Sequence, residues 1–178
     1  MVSDEALMLE FQGGSREAFE ELFARYREPL YGFFRRRLES KARADDLMQE
    51  TFLAVIRATS RYQPRALVRT YLYGIAIKLL AAERRRDRRS DPAPEPEIAN
   101  IDNSLWVRRA LEQLDPQERE ILMLREYEQL SYSEISDLLR LPVNTVRSRL
   151  FRARMSLKNH LEPIPNRDRK GASAEDQP

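Results

Sequence analysis

The chain has no cysteine among its 178 residues, so disulfides and thiolate metal sites are excluded. Its one histidine, His160, stands near a predicted helix end with no partner cluster, so imidazole chemistry is not expected. Glycine is scarce, at 5, and no glycine-rich phosphate loop is present. No carboxylate cluster has metal-ligand spacing, and no nucleophile–base pair is visible. Catalytic residues, metal ligands and cofactors are therefore expected to be absent. No apolar run approaches the roughly 20 residues needed to span a bilayer. The start, Met1-Val2-Ser3-Asp4-Glu5, lacks the basic residues and apolar stretch of a signal peptide, so a cytoplasmic location is expected.

What is present favours helix. Charged residues make up 34% and hydrophobic residues 42%, and no alternating apolar/polar run argues for a sheet. The expected class is all-α. Net charge is only +2, yet the pI is near 9.0 and the charges are segregated. Acids concentrate in 4–50 and 112–137, arginines in 84–89 and 147–154. A near-neutral total thus hides local basic surfaces suited to nucleic acid.

Composition breaks once, at Asp91-Pro92-Ala93-Pro94-Glu95-Pro96-Glu97, where alternating prolines forbid helix. This divides the chain into a helical block at 4–89, a flexible linker at 90–102, a second helical block at 103–162 and a polar, disordered tail at 163–178. Four helices are predicted in the first block. The first turns Ala6, Leu7, Met8 and Leu9 inward and ends at Gly13-Gly14. The second starts at Ser15, continues past Pro29, and buries Phe19, Leu22, Phe23, Tyr26, Leu30, Phe33, Phe34 and Leu38. The third runs from about 42 to 59 over Leu47, Met48, Thr51, Phe52 and Val55, and the fourth from about 67 to 86 over Leu72, Ile75, Ala76, Leu79 and Leu80. The second block is predicted as helices at 103–114, 116–128, 132–139 and 143–161, with Trp106 in the core. Asp115-Pro116-Gln117-Glu118 is a strong start signal.

The end of the second block carries the sharpest pattern. Ser131 and Glu134 form a capping box, Ile135, Leu138 and Leu139 face inward, and Arg140-Leu141-Pro142 makes a turn. In the next helix Val143, Val146, Leu150, Ala153 and Leu157 form an apolar stripe. Arg147, Arg149, Arg152, Arg154 and Lys158 fill much of the remainder. No acid occurs between Pro142 and Leu161. A solvated face mixes signs, so an acid-free run suits an anionic partner. This is the pattern of a DNA-binding helix-turn-helix. A basic helix that merely covers a core is the plainer alternative.

At this point the chain resembles the extracytoplasmic function (ECF, group IV) sigma factors of bacterial RNA polymerase, over nearly everything from Leu7 to Leu161. Gly14-Ser15-Arg16-Glu17-Ala18-Phe19-Glu20-Glu21-Leu22 is similar to the family's opening. Ala44-Asp45-Asp46-Leu47-Met48-Gln49-Glu50-Thr51-Phe52-Leu53 is similar to the helix that grips the polymerase. Thr70-Tyr71-Leu72-Tyr73-Gly74-Ile75-Ala76 resembles the helix that opens the −10 element, and Leu130 to Arg154 the −35 reader.

The resemblance implies two domains, sigma region 2 at 4–89 and sigma region 4 at 103–162. It implies a factor that binds core polymerase and directs initiation at specific promoters, with an anti-sigma factor as a further partner. Asp45, Asp46, Gln49 and Glu50 are then expected to face the clamp helices of the largest polymerase subunit. They share one side of a helix, and an acid-and-amide side suits a basic partner, although a solvated helix face would look the same.

For the −10 element, strand opening calls for aromatic platforms and cations. Tyr62, Arg65, Arg69 and Tyr71 are expected near the unpaired strand, with Lys78, Arg84 and Arg85 meeting phosphates. Tyr71 also borders the apolar stripe, so core packing stays open. For the −35 element, Arg147, Ser148, Phe151 and Arg152 are expected at base edges, and Arg125, Tyr132, Ser133, Thr145, Arg149 and Arg154 at phosphates or in structural contacts.

The chain departs from the family at Tyr71, usually Trp, and at Lys78, usually small and polar, and its −10 loop is short. Gln129 and Asn144 stand where Gly is common. A stand-alone helix-turn-helix regulator that never joins polymerase is the rival reading. The Asp45–Glu50 side and the aromatic–arginine segment 61–71 argue against it.

Overall fold

Helix starts in this chain coincide with oxygen side chains that accept orphan backbone N–H groups. Ser3, Ser15, Ser40 and Ser131 each accept from the residue three positions on, and Asp115 accepts from both Gln117 and Glu118. The computed structural model describes residues 2–90 and 105–161. Among the described residues there are eight α-helices, a short 3₁₀ turn and no strand. The expected all-α class is observed.

The first block holds α1 (Asp4–Gln12), α2 (Arg16–Arg35), α3 (Lys41–Ala58), the 3₁₀ turn Thr59–Arg61, and α4 (Val68–Ser90). The second holds α5 (Leu105–Glu112), α6 (Pro116–Glu126), α7 (Tyr132–Leu139) and α8 (Val143–Leu161). Ser90, expected to open the linker, ends α4. The rest of the expected linker and the 163–178 tail lie outside the described residues.

In the first block α1, α3 and α4 surround α2, whose Leu22, Tyr26, Leu30, Phe33 and Phe34 are buried. Pro29 sits inside α2 without ending it. Buried neighbours on both sides, Tyr26 and Leu30, hold the helix across the missing N–H. Phe11, Phe19, Phe23 and Phe52 form a run of ring contacts linking α1, α2 and α3.

In the second block α8 lies against α5, α6 and α7, burying Val146, Leu150 and Ala153. Buried side chains from both blocks join in one cluster. Within it, α4 meets α7, so the two blocks touch.

Three burial expectations are corrected. Leu9 is exposed while Met8 and Leu7 are buried, because the inner side of α1 is set by packing on α2. Val143 is also exposed, since the first turn of α8 extends past the cover of α7. Trp106, expected in the core, is 53% exposed. The buried stripe runs through Ala110, Leu111 and Leu114, and Trp106 falls to its side at 100° per residue.

Candidate DNA and polymerase interfaces

The helix-turn-helix is built by local chemistry. The backbone N–H of Ser131 donates to Glu134 at 2.7 Å, and that of Glu134 donates to the Ser131 hydroxyl at 3.2 Å. The first helix ends at Arg140, in left-handed conformation with φ of 54°. The Ser136 hydroxyl donates to the Leu141 carbonyl at 2.5 Å and fixes the turn. Together these aim α8 outward.

On α8, Asn144, Arg147, Ser148 and Phe151 lie exposed on the side opposite the buried stripe. Phe151 is 65% exposed, an unusual state for a large aromatic on a folded helix. Asn144 lies within the first turn of α8 rather than at a left-handed position.

Arg152, Arg154 and Arg125 are engaged within the block. Arg152 pairs with Glu118 at 2.7 Å and Arg154 with Glu126 at 2.6 Å. Arg125 donates to the Leu130 carbonyl at 2.9 Å and its guanidinium lies over the Tyr132 ring. Thr145 and Arg149 are half-buried and Ser133 is exposed. Exposed pairs of this kind are weak and yield readily to phosphate.

Tyr62 and Tyr71 meet edge to face, with centroids 5.4 Å apart. Tyr62 is buried and its hydroxyl has no hydrogen-bond partner, while Tyr71 is half-buried. Burial pushes both phenols above their ordinary range. Here Tyr71 shields Tyr62, so only Tyr71 has a ring within reach of a base. Gln12 fastens the loop by donating to the carbonyls of Thr59 and Tyr62 at 2.9 and 3.1 Å. Arg65, Lys78 and Arg85 are exposed and Arg84 is half-buried. Arg69, expected beside DNA, instead forks onto Glu134 of α7 at 2.9 and 2.7 Å.

On α3, Gln49 donates to Asp45 at 2.7 Å. Asp46 and Glu50 both face Arg43, at 3.5 and 3.2 Å. Arg43 in turn forks onto Glu83 of α4 at 2.5 and 2.7 Å. That hydrogen-bonded pair holds the Glu83 carboxyl below the usual carboxylate range. Beside Asp45 and Gln49 runs a groove of about 450 Å³, floored by Phe19, Phe23, Met48 and Phe52 and rimmed by the exposed Leu53 and Ile56. The acid-and-amide side predicted from sequence is therefore bordered by an apolar groove, which the periodicity did not reveal. Arg43 was also missed, because its role depends on a partner forty residues away. Among the described residues no cluster of His, Cys, Asp or Glu has metal-binding geometry, and no helix is long and apolar enough to cross a membrane.

Two helical blocks, one ending in an outward-facing helix-turn-helix, define the sigma-70 class of transcription initiation proteins. Residues 22–90 match the family Sigma-70 region 2, and residues 104–157 match Sigma-70, region 4. The chain is 32% identical to the RNA polymerase sigma-H factor of Pseudomonas aeruginosa over 183 residues, covering 90% of this chain and 95% of that one. It is also 32% identical to the ECF RNA polymerase sigma-E factor of Escherichia coli, covering 93% and 98%. Among solved structures, CnrH in complex with the cytosolic domain of CnrY superposes with a TM-score of 0.68 at 26% identity, covering 88% of this chain and 95% of that one. The chain belongs to the ECF sigma factors of RNA polymerase.

Proposed function

We propose that the chain works as a cytoplasmic, non-enzymatic sigma factor whose first block grips core polymerase and opens the −10 element while α8 reads the −35 duplex. The observation that carries this is the side of α8 opposite its buried stripe. There Arg147, Ser148 and an exposed Phe151 stand together with no acidic neighbour on the helix. Arginine can fork onto guanine, and an apolar ring can cover a thymine methyl in the major groove. Arg152, once it leaves Glu118, joins Arg147, Ser148 and Phe151 at the base edges; Arg125, Arg149 and Arg154 serve phosphates, and Tyr132 and Thr145 brace the reading helix.

Asp45, Asp46, Gln49 and Glu50, with the apolar groove beside them, form the polymerase-facing surface. Tyr71 and Arg65, backed by Tyr62 and Arg69, take the unpaired −10 strand, and Lys78, Arg84 and Arg85 take its phosphates. A partner chain that restrains the factor belongs to the same reading, supported by the CnrH structure with its bound CnrY domain. The region boundaries, 4–89 and 103–162, are those the sequence suggested.

Run-off transcription with purified core tests the reading directly. The full chain is expected to retain core and to start transcripts at a defined promoter set, and neither should survive Asp45→Arg. Dimeric binding to duplex DNA with no core retention and no transcript would establish the stand-alone regulator instead.

A further inference from the structure

One helix, α1, holds both ends of the loop between the 3₁₀ turn and α4. The loop leaves the turn at Tyr62 and re-enters helix at Val68. At its start, the side-chain amide of Gln12 donates to the carbonyls of Thr59 and Tyr62 at 2.9 and 3.1 Å. At its end, Leu67 has no side-chain oxygen with which to cap α4. Glu5 of α1 supplies one, accepting from the Val68 N–H at 3.2 Å. Residues 63–67 between these two clasps are all exposed. One backbone bond, from the Arg65 N–H to the Gln63 carbonyl at 2.7 Å, runs inside them.

α1 is itself fixed. It buries Leu7 and Met8. Its Asp4 accepts from Arg25 of α2 at 2.6 Å and from the Tyr26 hydroxyl. Arg25 also donates to the Val2 carbonyl at 2.9 Å. The rigid element thus lies outside the loop, and the loop takes its shape from it.

The Tyr62 hydroxyl shows that the loop does not choose this shape unaided. It is buried with no hydrogen-bond partner, an unfavourable state that the Gln12 and Glu5 bonds offset. Without those bonds the loop is free to turn the hydroxyl to water. The edge-to-face contact of Tyr62 with Tyr71 would be lost with that turn.

We infer that Gln12 and Glu5 are positioning residues for promoter opening, acting through the loop and not on DNA. They hold Arg65 and Tyr71 where the unpaired −10 strand meets them. This role rests on the sigma-factor reading above. A loop ordered only at the moment of binding loses affinity to that ordering, whereas a clasped loop does not. The polymerase-facing side of α3 and the reading side of α8 take no part in these bonds.

The test uses holoenzyme reconstituted from core polymerase and the full chain. Its affinity is measured for a fluorescent single strand carrying the −10 element of a promoter found by run-off. Gln12→Met keeps the length of the side chain and the net charge but gives no N–H to the two carbonyls. Glu5→Ala removes the acceptor, and Glu5→Gln keeps an oxygen that can accept from Val68.

If release leaves one loop in ten in the clasped shape, Gln12→Met and Glu5→Ala should each bind the strand about tenfold more weakly. Glu5→Gln should recover most of the wild-type affinity. Affinity for core and for −35 duplex should match wild type throughout. For Gln12→Met the salt dependence of strand binding should keep its slope, because no phosphate contact is lost. Wild-type strand affinity in Gln12→Met and Glu5→Ala overturns the clasp, and so does a Glu5→Gln chain as weak as Glu5→Ala. A shallower salt slope in Gln12→Met would put Gln12 on phosphate and overturn its positioning role. An equal loss of core affinity would make α1 a support of the whole block and overturn a role specific to the −10 strand. Failure of the sigma-factor reading looks different: the wild-type chain then retains no core and starts no transcript, before any variant is made.

Discussion

At the scale of single residues, two backbone positions and one side chain state their own tests. Gln129 and Arg140 are the two non-glycine residues with positive φ among the described residues, both at 54°. A side chain in that region costs about 1–2 kcal/mol, and glycine returns about 0.5–1 kcal/mol of this as extra freedom in the unfolded chain. Gln129→Gly should therefore raise stability by about 0.5–1 kcal/mol, read as a higher urea midpoint with an unchanged slope. Family relatives were expected to carry glycine here, and the dihedral supplies the reason. Asn144 carries no such strain, so Asn144→Gly should lower stability, by about 0.5 kcal/mol at a helical position. On the DNA side, Arg147→Ala should cost about 1–3 kcal/mol of discrimination at one −35 base pair. The −35 base-substitution series shows it: a preference flattened at a single position marks a base contact, whereas uniform weakening across all sequences would place Arg147 on phosphate.

At the scale of elements, the helices were legible from the chain because their signals are local. The Ser15 cap, the Asp115-Pro116 start and the Ser131–Glu134 box act within four residues, and each sits where the sequence placed it. Burial was less legible. Trp106 and Val143 fit a helical period, yet both stay exposed in the described fold, since period defines a face and not what packs on it. The pairing of α3 with α4 was not legible at all. It depends on Arg43 and Glu83, which sequence spacing cannot relate. Glu83 is buried and spans both guanidinium donors of Arg43. Glu83→Gln should destabilise the first block by about 2 kcal/mol, the scale of hydrogen bonds to a charged group. It should also release Arg43 toward Asp46 and Glu50, lowering the negative charge offered to polymerase. A urea midpoint equal to wild type would show that the α3–α4 clamp contributes nothing.

At the scale of the whole molecule, the contact between blocks ties shape to proton concentration. Burial alone would raise the Glu134 carboxyl, but the Ser131 N–H and the Arg69 guanidinium hold it below the ordinary value of 4.5. Burial opposes ionisation of Glu120 too, and Arg37 outweighs it, again leaving the group below 4.5. Arg37 and Arg84 from the first block and Arg119 from the second face Glu120. Arginines stay charged throughout the accessible range, so only the carboxylates titrate. Glu120 has a lower value when the blocks are joined than when they are apart, because Arg37 and Arg84 reach it across the joint; Glu134 keeps its Ser131 bonds, which lie within its own block, in either state. Above about pH 4.5 they are ionised in either state, and the joint keeps its full strength. As pH falls through 4.5 toward the lower values of the joined state, the separated blocks take up protons first and are favoured. Because the chain has no cysteine, dyes can be attached through Glu17→Cys and Asn159→Cys, both at exposed positions, and energy transfer between them should hold steady from pH 7 to 5 and drop below about 4.5, while helix content persists. Glu120→Gln removes the group that Arg37 lowers across the joint and should make the drop shallower. Transfer that stays flat to pH 3.5 with the helices intact would mean that these carboxylates do not hold the blocks together, and the charged joint would then follow apolar packing between α4 and α7 instead of causing it.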